Sequence, residues 1–346
     1  IISKKNNSLC KEIKKKVSKI IAKEMTSDFN KIIIDLDLKL CVGQEVIIKT
    51  NSNNNQRKIQ TFVESKIYNY DNFYFDNNIN YPPNYIVNNN DIIINNGNWF
   101  IKKPIILKNK NLIINRGVDL IFDENAYIYI EKGNLKIEGT IDDPVTINAK
   151  KNKWGGIFVS NSKNSTIKNA KINNVNYFNH QNIMLTGGIN FFKSTVRILN
   201  GKINGCLSED CINLVKSDFT ISNSEFDNAL SDAVDSDFSK GIFDNLKFYK
   251  IGNDGIDLSG SEVRIQNSEF NNIGDKAISN GENSKTYLEK ITIKDSLYGI
   301  ANKDGSIING KKINFINVLK NEILSYNKKS YYDKTSLELN EVEHDN

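Results

Sequence analysis

Five positions, Ile212, Val234, Ile256, Ile278 and Ile300, follow one another at intervals of 22 residues. A second set, Phe226, Phe248, Phe270, Ile293 and Phe315, keeps steps of 22, 22, 23 and 22 behind them. Apolar residues that return at so fixed an interval require stacked units, because one unit alone cannot bury its own hydrophobic side. Going back, Ile189 precedes Ile212 by 23 and Ile157 precedes Ile189 by 32, the longer step holding an insertion at roughly 174–186 (NVNYFNHQNIMLT). Earlier still, Ile113 and Leu135 stand 22 apart.

From about Asp91 the runs between these positions are short and β-rich, separated by Asn, Gly, Asp and Ser, with no helix-period segment among them. A coil of strands and turns that closes on itself and stacks at the strand spacing of about 4.8 Å is a parallel β-helix. Two further columns fit its turns: Asn169, Asn200, Asn223, Asn245 and Asn267, and Ser194, Ser217, Ser239, Ser261 and Ser306. Stacking makes each a ladder of turn residues bonding from coil to coil. The expected fold is therefore an all-β solenoid of about 22-residue coils over 91–339, followed by a polar tail, 340–346.

The phrases GTIDDPVTI leading to WGGIFVS (139–160), SDAVDSDFS, GNDGIDLSGS, GDKAIS and GIANKDGS together span roughly 91–306. They resemble a right-handed parallel β-helix of the pectate-lyase-like superfamily, and the Asn column resembles its asparagine ladder. The closer resemblance is to the β-helix module attached to bacterial spore-coat kinase-like proteins and to uncharacterised surface proteins, a subgroup that implies no settled activity. No kinase-like part is visible in residues 1–90.

Upstream, 9–25 (LCKEIKKKVSKIIAKEM) places Leu9, Ile13, Val17 and Ile20 or Ile21 on one face, an amphipathic helix pattern within a 1–30 segment. Residues 31–90 read as short strands (KIIIDLDLKL, EVIIKT) and an aromatic, Asn-rich connector with the pair Pro82-Pro83. Helix and strands would cap one end of the solenoid. The first residue is Ile1, so an upstream domain in the same polypeptide is expected. No run approaches the roughly 18–20 apolar residues of a membrane span. The net charge of +5 is unevenly spread, without the interleaving of basic and aromatic residues that marks nucleic-acid binding. Two histidines make a zinc site or a serine triad a poor expectation. The four cysteines show no framework spacing and read as buried small apolar residues.

The feature that reaches beyond the fold is acidic. Stacking puts Asp210, Asp232, Asp254 and Lys276 in one column and Asn213, Asp235, Asp257 and Ser279 in a second. Carboxylates about 5 Å apart repel by about 1 kcal/mol in water and about 3 kcal/mol at an effective dielectric near 20, a cost the fold does not need. Three readings compete. The Asp residues accept backbone N–H bonds and face solvent; or Asp232, Asp235, Asp254 and Asp257 collect a Ca²⁺ ion; or Asp210, Asp232, Asp254 and Lys276 divide catalytic acid and base roles between them.

Polygalacturonase-type glycoside hydrolases carry N-T-D, D-D and G-H-G-x-S phrases on successive coils, which Ser231-Asp232, Asn253-Asp254 and Gly274 to Ser279 resemble. Lys276 stands at the histidine position and Asn253 replaces one aspartate, so pectin hydrolysis as such is not implied. Lys276 then reads either as the base of a lyase or epimerase or as an ion-pair partner of the column. The insertion offers Tyr177, Phe178 and His180 as aromatic side chains for a sugar ring, or as cover for a sheet face. Two functions follow: a non-catalytic surface or scaffold module binding glycan or protein, or a polysaccharide lyase, hydrolase or uronate epimerase. A cell-surface or extracellular location suits both.

Overall fold

A computed structural model describes residues 81–83, 85–180 and 183–345, together with the short strands Ile2–Lys4, Glu45–Ile48 and Arg57–Ile59. The chain divides into two units, Ile1–Asn77 and Asn78–Asn346. In the first, the three short strands form an antiparallel sheet with Glu45–Ile48 in the middle. The helix expected at 9–25, the strand KIIIDLDLKL and most of the connector lie outside the described residues.

The second unit is a parallel β-helix of about ten coils, all β, with no helix among the described residues. Each coil gives one strand to a ten-stranded sheet running from Ile105–Lys108 to Ile323–Tyr326. Nineteen further strands form a sheet around the other side of the core, opened by the antiparallel hairpin of Ile86–Asn88 with Asp91–Ile94, and Asn179–His180 pairs with Ile183–Met184 in a separate hairpin.

The columns are the register. Ile157, Ile189, Ile212, Val234, Ile256, Ile278 and Ile300 are successive Cα partners. So are Phe226, Phe248, Phe270, Ile293 and Phe315. Inside, the rings of Phe226, Phe248 and Phe270 stack at 5.0 and 4.5 Å, nearly parallel. Alternate residues face in and out, as Val263, Ile265 and Phe270 do against Glu262 and Arg264 in the long strand Glu262–Ile273.

One earlier pairing is corrected: Leu135 pairs with Leu112 and Lys136 with Ile113, so the step there is 23. A slip of one residue exchanges inside for outside, and it is Leu112 that is fully buried. At the other end the boundary drawn at 340 falls inside the strand Ser336–Asp345, which pairs with Ile307–Ile316. Its charges are those of an edge strand that discourages further pairing.

Both turn ladders form. The asparagines adopt left-handed backbone conformations, with φ between 46° and 54°. Asn200 donates to Asn169 (2.8 Å) and Asn245 to Asn223 (2.7 Å), whereas Asn267 turns to Asp244 (2.8 Å). The serines are buried, each hydroxyl oxygen accepting the N–H of the serine one coil earlier: Ser217 to Ser239 at 2.9 Å, Ser239 to Ser261 at 3.0 Å.

Candidate functional site

Gly252 and Gly274 open the repeated phrases because the backbone of successive coils closes up there. A Cβ on Gly252 would lie 2.1 Å from the Leu230 carbonyl oxygen, and one on Gly274 2.2 Å from that of Gly252. This tight turn delivers the first acidic column to the entry of the ten-stranded sheet. Asp210, Asp232 and Asp254 are all buried, which corrects the solvated reading. Burial needs compensation, and hydrogen bonds from neighbouring coils, and for Asp210 also from its own strand, supply it. Asp232 accepts the backbone N–H of Asp254 at 2.8 Å and the Asn253 amide at 2.6 Å. Asp254 accepts the Lys276 N–H at 2.9 Å. Asp210 accepts Thr186 at 2.9 Å and Asn213 at 3.1 Å.

The column ends in an ion-pair group. The Lys276 ammonium lies 3.3 Å from Asp254 and also pairs with Asp275. Burial by itself would lower the Lys276 pKa, but the bonds to Asp275 and Asp254 outweigh it and leave the ammonium more firmly protonated than a free lysine. A base must be free of its proton at working pH. Lys276 is therefore the ion-pair partner of Asp254 and Asp275 at the end of the column.

On the outward face of the strand Asp232–Asp237 stand Asp235 and Asp237. Asp235 is the register partner of Asn213 below and Asp257 above. Neither the Asp235 nor the Asp237 carboxyl group has a hydrogen bond or ion pair among the described residues, although the Asp237 backbone carbonyl accepts from Lys216 N–H and the Ser239 hydroxyl. Burial, then the charges of Asp237, Asp210, Asp257 and Asp232, push Asp235 up to about 9. Burial likewise pushes Asp232 up to about 7 and Asp237 to about 6, with Asp257 adding to both. Burial also raises Asp210 and Asp254. Beside Asp210, the Asn213 side-chain oxygen is buried and accepts nothing. At neutral pH this wall carries protons as well as charges.

Among the described residues no group of three or more His, Cys, Asp or Glu side chains is arranged to hold a metal ion. Asp232, Asp235, Asp254 and Asp257 share one sheet face but belong to two different columns, one turned to the backbone ladder and one to the outside.

Two walls flank the acids. Toward the C-terminal coils, Lys303 reaches back across one coil to donate to Ser279 (2.7 Å), 3.9 Å from Asp257, with Lys276 and exposed Tyr326 alongside. Toward the N-terminal coils an aromatic cluster closes the face. Phe178 packs on Tyr127 at 4.8 Å and Phe158 at 5.4 Å, and is fully buried. It has no free ring face for a sugar, so its expected binding role is corrected to packing. Tyr177 from the same insertion remains exposed, while the His180 side chain lies outside the described ones.

Asp237, Lys303 and Tyr326 were not singled out from the sequence. The alternation of SDAVDSDFS, which sets Asp237 two residues beyond Asp235, was the available signal for the first. The cysteine reading is also corrected: Cys206 and Cys211 are buried but joined in a disulfide, their Cα atoms 5.6 Å apart across the turn that carries Asp210.

No family model matches the chain, and no curated protein matches it in sequence. Among solved structures it is similar to the catalytic domain of a GH87 α-1,3-glucanase in complex with nigerose. The identity is 14%, over 73% of this chain and 54% of that one, at a TM-score of 0.50. The chain thus spans about half the length of that domain. A surface adhesin of Streptococcus pneumoniae, PfbA, is 12% identical over 74% of this chain and 85% of its own, with a TM-score of 0.36. An alginate lyase from Paenibacillus sp. str. FPU-7 is 12% identical over 66% and 93%, at 0.35. At these identities the likeness is one of fold, a parallel β-helix.

Proposed function

We propose that the acidic face of the ten-stranded sheet is a reaction site for acid–base chemistry on a polysaccharide. The observation that carries this reading is that the carboxyl groups of Asp235 and Asp237 stand half-buried beside Asp232 and Asp257 with no hydrogen-bond or ion-pair partner among the described residues. The ladder does not need them, and a fold gains nothing from crowding unpaired carboxyls. Asp235, protonated at neutral pH, is the proton donor to a glycosidic oxygen, and Asp257, beside the Lys303 ammonium, is the carboxylate. One strand spacing, about 4.8 Å, separates their positions, close to the ~5–5.5 Å of retaining glycosidases. The C1–O bond breaks as the Asp235 proton passes to the leaving oxygen and Asp257 bonds to C1. Water then opens the ester and returns a proton to Asp235. Asp210, Asp232, Asp254 and Lys276 position this pair and hold the local field.

In this reading the solenoid is right-handed, the hand that twisted parallel strands impose on their crossovers. It serves as a module of a larger bacterial protein, as the resemblance to spore-coat kinase-associated modules implies. The Cys206–Cys211 disulfide supports a surface or extracellular setting. A second reading, a non-catalytic surface module that binds glycan or protein, is favoured by one observation: a groove of about 770 Å³ lies on the other sheet, away from the acids.

The test is a panel of neutral and acidic polysaccharides assayed for new reducing ends, for unsaturated uronate and for C5 inversion. Reducing ends that disappear with Asp235→Asn and with Asp257→Asn are expected. Unsaturated or inverted product would replace the hydrolytic step with another. No turnover on any polymer, with binding unchanged in both variants, would leave the binding module.

A further inference from the structure

A track crosses the outer face of the nineteen-stranded sheet, far from the acidic wall in the coil. One depression of about 770 Å³ lies over the strands Thr195–Leu199 to Ile307–Ile316, and a second of about 410 Å³ begins at Leu135–Glu138; they meet at Arg197 and Thr220. Eight coils contribute, so the track is about 34 Å long at the strand spacing. Its central outward column is Lys136, Thr166, Arg197, Thr220, Ile242, Arg264, Tyr287 and Asn309, each the Cα partner of the next. The floor is apolar at Ile242 (40% exposed) and at Gly241, where the absent side chain leaves room for the buried Phe219 ring beneath.

Charge decides what fits. The acids on the track are largely satisfied from within: Glu138 by Lys168 (2.8 Å), Glu262 by Lys240 (3.0 Å), and Glu289 at its margin by Arg264 (2.6 Å). Arg264 also lies 4.4 Å from the centre of the Tyr287 ring. Three cations are left with no ion pair among the described residues: Lys136, Arg197 and Lys285. Asp218, exposed, is the register partner of Lys240. A surplus of positive charge spaced along a straight, partly apolar track complements a polyanion that repeats at about the coil spacing and has apolar ring faces.

We propose that this track binds an acidic polysaccharide, a uronate polymer, laid along the solenoid axis with about one sugar per coil. This site is independent of the acidic wall and would hold substrate or anchor the module whether or not the wall is catalytic.

The experiment measures binding of a defined oligogalacturonate, and of a neutral β-glucan as control, by calorimetry on the full chain carrying Asp235→Asn, which separates binding from turnover. Arg197→Ala/Lys285→Ala, at exposed side chains, should weaken oligogalacturonate binding by about tenfold or more. Raising salt from about 0.05 M to about 0.5 M should weaken it too. A melt matching the parent would show that the fold is kept. Unchanged affinity in the double variant, equal affinity for the neutral glucan, or no binding of the uronate would each overturn the proposal. Loss of binding in Asp237→Asn/Asp257→Asn alone would also do so, by placing the polymer on the other sheet.

Discussion

Replacing Asp235 by Asn should make the protein more stable at neutral pH. Asn keeps the shape of the protonated acid and cannot ionise. The native state holds the Asp235 proton up to about 9, whereas the unfolded chain releases it near 3.8. Between those values the native state binds one more proton than the unfolded state, so stability falls as pH rises, by up to about 1.4 kcal/mol per pH unit. At pH 7 the upper bound on the penalty is about 4 kcal/mol, and solvent reaching this half-buried group reduces it to about 1–2 kcal/mol. Urea unfolding of wild type and Asp235→Asn at intervals from pH 4 to pH 9 measures it. The two curves should coincide at the acid end and separate steadily above it, the variant being more stable. A variant that is less stable at pH 7, or parallel to wild type throughout, would refute the claim that Asp235 is kept at a cost to the fold.

Ile256→Asp puts a charge into the fully buried inner column and should prevent cooperative folding or cost several kcal/mol; Ser239→Ala, which orphans the Ser217 N–H, should cost about 1–3 kcal/mol by thermal melt. Reducing the Cys206–Cys211 bridge, or replacing both cysteines by Ser, should cost about 2 kcal/mol, the entropy of a short loop, and thiol titration should release both sulfurs only on reduction. Chelator tests the cation reading: a melting temperature that falls with chelator and is restored by Ca²⁺ would show that the wall gathers a cation, and an unchanged melt would dispose of it.

The solenoid was legible because its signal is redundant. Ile256 and Phe270 each repeat at the coil interval, and a register shared by several columns tolerates little error. Where the support was a single pair, Ile113 with Leu135, the register slipped by one residue. The acidic columns were legible as neighbours for the same reason. Their burial was not, because how closely the entry turns of neighbouring coils pack, as at Gly252 and Gly274, is not written in the period. Phe178 read as a sugar platform because its aromatic character is visible in sequence, whereas the ring it covers, Tyr127, lies a whole coil and an insertion away. The disulfide escaped notice because five residues of sequence separation say nothing of the turn that brings the Cα atoms to 5.6 Å.

The most direct measurement of the central claim, that this face holds carboxyl protons at neutral pH, is carboxyl ¹³C NMR titration of the Asp-labelled protein. One resonance should titrate near 9 and vanish in Asp235→Asn, with others near 7 and 6 that vanish in Asp232→Asn and Asp237→Asn. Every Asp carboxyl titrating below about 5, as free aspartates do, would contradict it.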